Sequence, residues 1–335
     1  MSNKSYSPLH RVSLTAVSIA AASFLSACGG GGSDGTAAAT ATATDVGTLS
    51  IDVTDGPATA LDNVYITVKE VWFHHSDSAL HADADWKKFP LTTPVTIDMN
   101  KLSNGALAKA FDGIKLPVGT YKQIRLFLAD STEPWVDTAK TAGLLFNDQV
   151  NYTDPKGAKK SAALELASAE KGIALNGSFD IAKGKTLRLA VEFNVGDDVV
   201  RFTHNNADAF KLQPNLRYFD LDNAAAIGGS IDRTACSALA NPCRDIIVKL
   251  EEPSADGSVH RVTRWTSVKA DGSFMLYPVP ASKGKTYDMV ITGRNAQPMI
   301  IKGIPAVGGS TPQSSEQNLR GLIKHAITAK GRYLG

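Results

Sequence analysis

The sequence predicts an all-β protein with two β-sandwich domains. From Val46 onward, short runs of β-branched, aromatic and alternating residues recur between Gly, Pro, Asn and Asp. Turn signals come about every ten residues, a spacing typical of sandwiches and barrels. Helix-period patterns are scarce, with residues 104–110 the best helix candidate and 162–171 a weaker one.

The composition is that of a folded protein without a strong charge bias. The chain has 335 residues, of which 43% are hydrophobic and 20% charged. Lys and Arg number 35 against 33 Asp and Glu, and the first 27 residues hold Lys4 and Arg11 but no acid. Without that segment the balance is 33 against 33, so the sequence predicts no nucleic-acid partner.

The N-terminus predicts a secretory signal over residues 1–27. A basic start is followed by an uncharged apolar stretch from Val12 to Ala27. That stretch is shorter than the roughly 20 apolar residues of a membrane-spanning helix. It ends in the residues LSAC, which resemble the lipobox of bacterial lipoproteins. The resemblance implies that Cys28 carries acyl chains such as palmitate and anchors the protein to a membrane. In lipoproteins of this type, Asp directly after the lipidated Cys resembles an inner-membrane retention signal, and this chain has Gly29 there. We therefore expect the protein at the outer membrane, on its periplasmic face or at the cell surface.

Residues 28–45 predict a flexible tether. They are rich in Gly, Ala and Thr and offer little to bury. A coil of about 16 residues has a root-mean-square reach of roughly 20 to 25 Å. The tether is therefore expected to hold the folded part clear of the lipid headgroups.

The mature chain divides into a β-sandwich over residues 46–223, a second over 224–312 and a C-terminal extension over 313–335. The boundary rests on the DNAAA stretch at 222–226, which separates two strand-like runs. In the first part the strands are expected at 48–53, 63–73, 86–91, 95–98, 121–129, 172–179, 186–193, 199–203 and 216–221. In the second they are expected at 227–231, 245–250, 259–267, 273–277, 286–292 and 299–301.

The first part resembles the domain of unknown function 4382 family, which occurs in bacterial lipoproteins. The matching residues are GTLSIDVTDGP at 47–57, VYITVKEV at 64–71, Trp86 and LPVGTYKQIRL at 116–126. The resemblance implies a β-sandwich and brings no established activity.

The second part resembles the carboxypeptidase-regulatory-like, transthyretin-type β-sandwich. The matching residues are GGSI at 228–231, IIVKL at 246–250, ADGSFML at 270–276, Pro280 and YDMV at 287–290. Asp271 and Gly272 predict a tight turn, after which Phe274 and Leu276 point into the core. Similar modules lie near starch-binding-like folds, so the resemblance also suggests carbohydrate binding.

Cys236 and Cys243 are expected to form a disulfide, because thiols pair in an oxidising compartment. A metal site on this pair would need a tighter spacing and more ligands nearby.

The densest cluster of metal-ligand residue types is the stretch 73–86. Its candidate ligands for a divalent metal ion are His74, His75, Asp77, His81, Asp83 and Asp85. The alternative is a polar hairpin loop that needs such residues only to stay hydrated. Neither a zinc spacing nor a twelve-residue calcium loop is satisfied, and no other cofactor is indicated.

Two further sets of side chains are candidates for function. A carboxylate cluster could combine three acids near the opening motif with two acids further on, which are Asp52, Asp55, Asp62, Asp220 and Asp222. Asp55 is more simply explained by a turn. Most aromatic residues are expected in the core, but Trp135 follows Glu133 and Pro134 in an expected loop and is the candidate for stacking on a ligand.

Together these features favour a non-enzymatic, lipid-anchored envelope protein that binds a glycan or protein ligand at the outer membrane. The first alternative is a metal-dependent or carboxylate-based hydrolase of envelope polymers. The second is a purely structural scaffold. The sequence contains no complete catalytic motif.

Overall fold

The computed structural model describes residues 45–56, 61–167, 169–231, 246–281, 284, 286–293 and 296–312. These residues belong to one compact unit of the chain. The predicted signal peptide, Cys28, nearly all of the tether, the predicted Cys236–Cys243 disulfide and the predicted extension 313–335 lie outside the described residues.

The described part of the chain is all-β and built of packed sheets, as predicted. We call β1 to β12 the N-terminal strand group: β1 (Val46–Asp55), β2 (Asn63–His74), β3 (Lys87–Asp98), β4 (Ala108–Pro117), β5 (Gly119–Leu128), β6 (Gln149–Thr153), β7 (Lys159–Leu166), β8 (Ile173–Ile181), β9 (Thr186–Phe193), β10 (Val199–His204), β11 (Ala207–Leu212) and β12 (Arg217–Asp220). We call β13 to β18 the C-terminal strand group: β13 (Ala225–Ser230), β14 (Ile246–Pro253), β15 (His260–Ser267), β16 (Ser273–Val279), β17 (Thr286–Gly293) and β18 (Ala296–Pro305). The helical segments are short: α1 (Asp137–Thr141), α2 (Val195–Asp198) and 3-10 turns at Met99–Leu102 and Ala169–Lys171.

The N-terminal strand group forms a sandwich of two sheets. The smaller sheet has the order β12-β9-β1-β4, in which β1 runs parallel to β9 and antiparallel to β4. The larger sheet has the order β10-β11-β7-β6-β2-β5-β8, and β3 pairs with β2. Alternation explains the core, because every second side chain of a strand points to the same face. Thus Leu189, Val191 and Phe193 of β9 lie fully buried in the core between the sheets.

The C-terminal strand group also has two sheets, with the orders β13-β16 and β15-β14-β17-β18. Its separate core includes Leu250, Met289 and the predicted Phe274 and Leu276. The predicted turn before β16 is confirmed, because the Asp271 carboxylate accepts the Ser273 N–H at 2.9 Å and Gly272 has a φ of +85°. The family resemblance of this group stays a prediction.

The two strand groups are in contact through a small apolar cluster. On the face of β9 opposite the sandwich core, Ala190 packs in a cluster with Leu221 and Ala224 from the end of the first group and Met275 and Tyr277 from β16. This contact explains why both faces of β9 are buried, although a sandwich strand usually has one wet face.

The predicted helix at 104–110 is wrong. Asn104 and Gly105 have φ values of +59° and +75°, a left-handed conformation that these two residue types tolerate. The following residues enter β4, whose pairing with β1 outweighs the helix propensity of Ala106, Leu107 and Lys109. The weaker helix candidate at 162–171 lies in β7 as far as Leu166 and then in a 3-10 turn.

In the described ranges, no helix combines the length and the hydropathy that crossing a membrane requires.

Candidate functional site

The predicted His/Asp loop connects β2 to β3 and lies folded against the outer face of the larger sheet. Trp86 Nε1 donates a hydrogen bond to the Leu80 carbonyl at 2.8 Å, closing the loop on itself. Two side chains of β5 in the larger sheet bind the loop: Gln123 donates to the Asp77 carbonyl at 2.8 Å, and Arg125 donates to the Ala79 carbonyl at 3.1 Å. These bonds, and burial of Ala79 and Trp86, hold the loop against the sheet, while most residues from His75 to Asp85 stay exposed.

The three imidazoles of this loop pack on three different aromatic rings. His81 stacks on Trp72 with ring centroids 5.0 Å apart, and His75 stacks on Tyr121 at 4.2 Å. His74 lies 5.0 Å from Trp86 in a tilted arrangement.

The predicted metal ligands are therefore not brought together. Asp83 accepts the Leu80 N–H at 2.9 Å, a role in shaping the loop, and Asp77 and Asp85 are exposed. Across the described residues, no group of three His, Cys, Asp or Glu side chains is placed to hold a metal ion. Metal binding by this loop stays a prediction without support from the geometry.

Trp135 lies in the loop before α1 and is 45% exposed, with Lys140 Nζ 5.8 Å from its ring centroid. A stacking role for this side chain stays a prediction.

The predicted carboxylate cluster forms only in part. Asp62 lies apart and pairs with Lys159 at 2.8 Å. Asp222 pairs with Arg188 at 3.0 Å, and its N–H donates to Asp220 Oδ1 at 2.9 Å. Burial raises the pKa of Asp52, and the nearby charges of Lys109 and Arg188 oppose that rise. Asp55 instead points toward α2, where its Oδ1 accepts the Val195 N–H at 3.0 Å. The structure thus places Asp55 beside acids that sequence reasoning did not single out.

A polar pocket of about 460 Å³ lies next to Asp55. A second and larger cavity, of about 1090 Å³, lies beside Tyr218, Asn223 and Pro280 and has a more apolar lining. The walls of the polar pocket come from the end of β9, from α2, from the segment between β11 and β12, and from β15 of the C-terminal strand group. The lining residues are Glu192, Asn194, Asp197, Asp198, Gln213, Asn215, Arg217 and Val262. A volume of this size lies within the range of roughly 300 to 1,000 Å³ that is usual for small-molecule sites.

Asp198 fixes the two chain segments that form the floor of the polar pocket. Its Oδ2 accepts the Asn194 N–H at 2.9 Å, and its Oδ1 accepts the Asn215 N–H at 3.1 Å. The Gln213 N–H donates to the Asp198 carbonyl at 2.7 Å. Burial raises the pKa of Asp198, against the two backbone donors, which lower it.

Glu192 forms the back wall, where two arginines bind it. Arg217 Nε donates to its Oε2, and the Arg264 guanidinium pairs with its Oε1. Arg264 is only 3% exposed and donates through Nη2 to Thr54 Oγ1 at 3.0 Å and to the Tyr277 carbonyl at 2.8 Å. Burial lowers the pKa of Arg264 to about 10, so its guanidinium stays charged at neutral pH. The network joins both strand groups at the pocket.

Two buried acceptor atoms at this site find no hydrogen-bond donor in the part of the chain that the structure describes. They are Asn194 Oδ1 and Asp55 Oδ2. Asn194 Nδ2 already donates to Asp197 Oδ2 at 2.5 Å, which directs its Oδ1 away from that carboxylate. The pKa of Asp55 lies well above its ordinary value, mainly because burial disfavours the charged form.

Sequence reasoning missed this pocket, although one signal was present. Gln213, Asn215 and Arg217 alternate with Pro214 and Leu216, and extended backbone directs every second side chain to the same side. This pattern alone does not predict a pocket, because the other half of the pocket lies about twenty residues earlier and joins it only through the pairing of β12 with β9.

Comparison with known proteins gives a family match. The model of a family described as "Domain of unknown function (DUF4382)" matches residues 46–214. No curated protein matches the chain. Among solved structures, a "putative adhesin" from Bacteroides ovatus is similar at 9% identity, with 77% of this chain and 82% of that chain covered and a TM-score of 0.15. A TM-score this low supports no conclusion about this chain.

Proposed function

The chain belongs to the domain of unknown function 4382 family, and we propose that it is a non-enzymatic, lipid-anchored binding module whose polar pocket takes a glycan. The observation that carries the proposal is the pocket of about 460 Å³ lined by side-chain amides, carboxylates and a guanidinium.

The lining groups match the chemistry of sugars. Each sugar hydroxyl both donates and accepts a hydrogen bond, and side-chain amides offer both functions within one planar group. Gln213 and Asn215 present such amides at the exposed rim, and Asn194 adds a third deeper in the pocket. Val262, which is 42% exposed, supplies an apolar contact for the C–H face of a sugar ring.

The acids of the polar pocket are engaged in structure, which supports binding over catalysis. A two-carboxylate hydrolase needs one acid to protonate the leaving group and a second to act as base or nucleophile. Both oxygens of Asp198 accept backbone N–H groups, and both oxygens of Glu192 are bound by arginines. Asp197 is the remaining acid in the lining, and one acid does not make such a pair.

The membrane side of the proposal rests on the N-terminal sequence. The lipobox-like ending at Cys28 and the Gly-rich residues that follow support an anchored module with lateral freedom. A module of this kind would hold a glycan of the envelope, or one outside the cell, close to the outer membrane.

The test uses the soluble form that begins at Thr44 on a glycan array, followed by titration calorimetry of the best ligand. We expect binding that falls at least tenfold in the Gln213→Ala/Asn215→Ala double variant. The matched control is Thr92→Ala, an exposed polar residue of β3 that does not line the pocket. Absence of any array ligand, or binding that the double variant retains, would refute the proposal.

A further inference from the structure

The polar pocket has more negative than positive groups, and this imbalance bears on which glycans it takes. Its lining holds three carboxylates, from Glu192, Asp197 and Asp198, against the single guanidinium of Arg217. Arg264 adds one positive charge directly behind Glu192. Counting that guanidinium, these three carboxylates and two guanidinium groups sum to one negative charge.

Asp197 carries the unbalanced charge toward the ligand. Glu192 is neutralised by its two arginines, and Asp198 is buried against backbone donors. Asp197 is exposed, and its Oδ2 accepts a hydrogen bond from the neutral Asn194 amide. An incoming group therefore meets the Asp197 carboxylate at the pocket mouth.

Arg217 offsets this charge for a ligand only in part. Its Nε is bound to Glu192 Oε2 and its Nη2 to the Thr263 carbonyl. Its positive charge is therefore shared with the Glu192 carboxylate that it touches. The guanidinium is half-exposed and has further N–H donors, so an approaching anion meets Arg217 and the Asp197 carboxylate together.

The hydrogen-bond acceptors at the rim favour donors in the same way. The side-chain oxygens of Gln213 and Asn215 belong to exposed residues of the lining. A ligand hydroxyl or ammonium group can donate to these oxygens, whereas a carboxylate or phosphate supplies only acceptors.

We infer that the pocket selects glycans that donate hydrogen bonds and carry no negative charge, neutral sugars or amino sugars, and that Asp197 is the residue that excludes acidic ones. This inference rests on the proposed function and adds the ligand class to it. A uronic-acid or phosphorylated residue would face the Asp197 carboxylate in a partly enclosed site, where like charges repel more strongly than in open water.

The experiment compares the wild-type protein with Asp197→Lys and Asp197→Asn on an array that holds neutral, amine-bearing and acidic glycans in comparable numbers. The control variant is Glu170→Lys, which makes the same charge change at an exposed residue outside the pocket. Unfolding midpoints establish that each variant is folded. The strongest wild-type ligands are then measured by calorimetry beside their acidic counterparts, such as β-1,4-linked glucuronate in place of glucose.

We expect the wild-type ligands to be neutral or amine-bearing. Asp197→Lys should improve the ratio of acidic to neutral binding at least tenfold, while Glu170→Lys should leave it unchanged. Acidic wild-type ligands lost in the Gln213→Ala/Asn215→Ala variant would overturn this inference and leave the proposed function intact. A ratio that does not respond to Asp197→Lys would overturn the role of Asp197. An array without ligands would instead refute the proposed function itself.

Discussion

At the scale of single residues, the chain concentrates buried charge at the contact between its strand groups. Glu192 from β9 and Arg264 from β15 are both nearly inaccessible and pair across that contact. A buried pair is costly to form, but removing one partner is costlier still, because it leaves the other charge unpaired away from water. The pair therefore fixes which surfaces of the two strand groups meet.

Arg264→Met should lower the free energy of unfolding by about 3 to 5 kcal/mol, because Glu192 loses its buried partner and keeps only the half-exposed Arg217. Arg261→Met is the matched control on the same strand, since Arg261 is highly exposed and its pair with Glu252 at 3.4 Å contributes little. Urea denaturation of both variants checks this. Equal losses for the two variants would contradict the assigned role of Arg264.

Asp148 predicts a pH dependence of stability. Its Oδ1 accepts the Thr67 N–H at 2.6 Å, and within the described residues its Oδ2 has no hydrogen-bond donor. Burial raises the pKa of Asp148 well above its ordinary value, and Asp130 and Glu133 add to the increase. The folded state thus favours the protonated form. The resulting stabilisation is present below the unfolded-state pKa and is lost as the pH rises through the raised folded-state pKa.

Asp148→Asn does not ionise and keeps an acceptor for Thr67. We therefore expect wild-type stability to fall relative to this variant as the pH rises from about 4 to 8. Denaturation curves of the two proteins across that range measure the difference in unfolding free energy. A difference that is constant with pH would show that folding leaves the pKa of Asp148 unshifted, and one that changes in the opposite direction would show that folding lowers it. Either result would contradict the prediction.

At the scale of elements, sequence patterns succeeded where a strand keeps one apolar face and failed where long-range pairing decides. Ile173–Ile181 alternates between more and less exposed side chains and lies where a strand was predicted, at 172–179. Residues 104–110 carry helix-favouring side chains, but the left-handed Asn104–Gly105 turn and the pairing of β4 with β1 decide their conformation. Pairing partners that lie about sixty residues apart leave no local signal.

The His/Asp loop shows the same limit for a site. Its composition allowed a metal centre or a wet hairpin, and only the tertiary structure places Trp72, Trp86 and Phe127 as one apolar cluster beneath it. The three His side chains then become packing partners of aromatic rings. The sequence shows which residue types the loop contains, but the directions in which their side chains point depend on the tertiary structure.

Trp86→Ala should cost about 3 to 5 kcal/mol of unfolding free energy, because it opens a cavity in this cluster and removes the bond to the Leu80 carbonyl. Trp135→Ala is the matched control, since that side chain is exposed and should change stability little. Thermal and urea unfolding check both. A small loss for Trp86→Ala would mean that the loop is not held by the cluster.

At the scale of the whole molecule, the sequence predicts a lipid anchor, and the structure describes the folded part that such an anchor would hold. The described residues form packed sheets whose polar pocket draws on both strand groups. The all-β class and the apolar core positions followed from alternation. The polar pocket could not be predicted from alternation, because Glu192, Gln213 and Val262 line one cavity only when β12 pairs with β9 and β15 packs beside them.

Cys28→Ser should release the protein from the membrane fraction, because the hydroxyl cannot take up the thioether-linked lipid that the lipobox resemblance implies. Fractionation of cells that express each form, with labelled palmitate, is the measurement. Cys236→Ser is the control thiol change, and it should leave the protein in the outer membrane. Retention of Cys28→Ser in that fraction would contradict the lipid anchor.

The most direct test of the central claim is hydrogen–deuterium exchange of the soluble form with and without a saturating glycan from the array. We predict that peptides spanning residues 192–198 and 213–217 gain protection while those around Trp135 do not. Bound ligand orders backbone that otherwise opens locally, and it does so where it makes contact. Protection confined to the Trp135 loop, or spread without relation to the polar pocket, would contradict the assignment of the binding site.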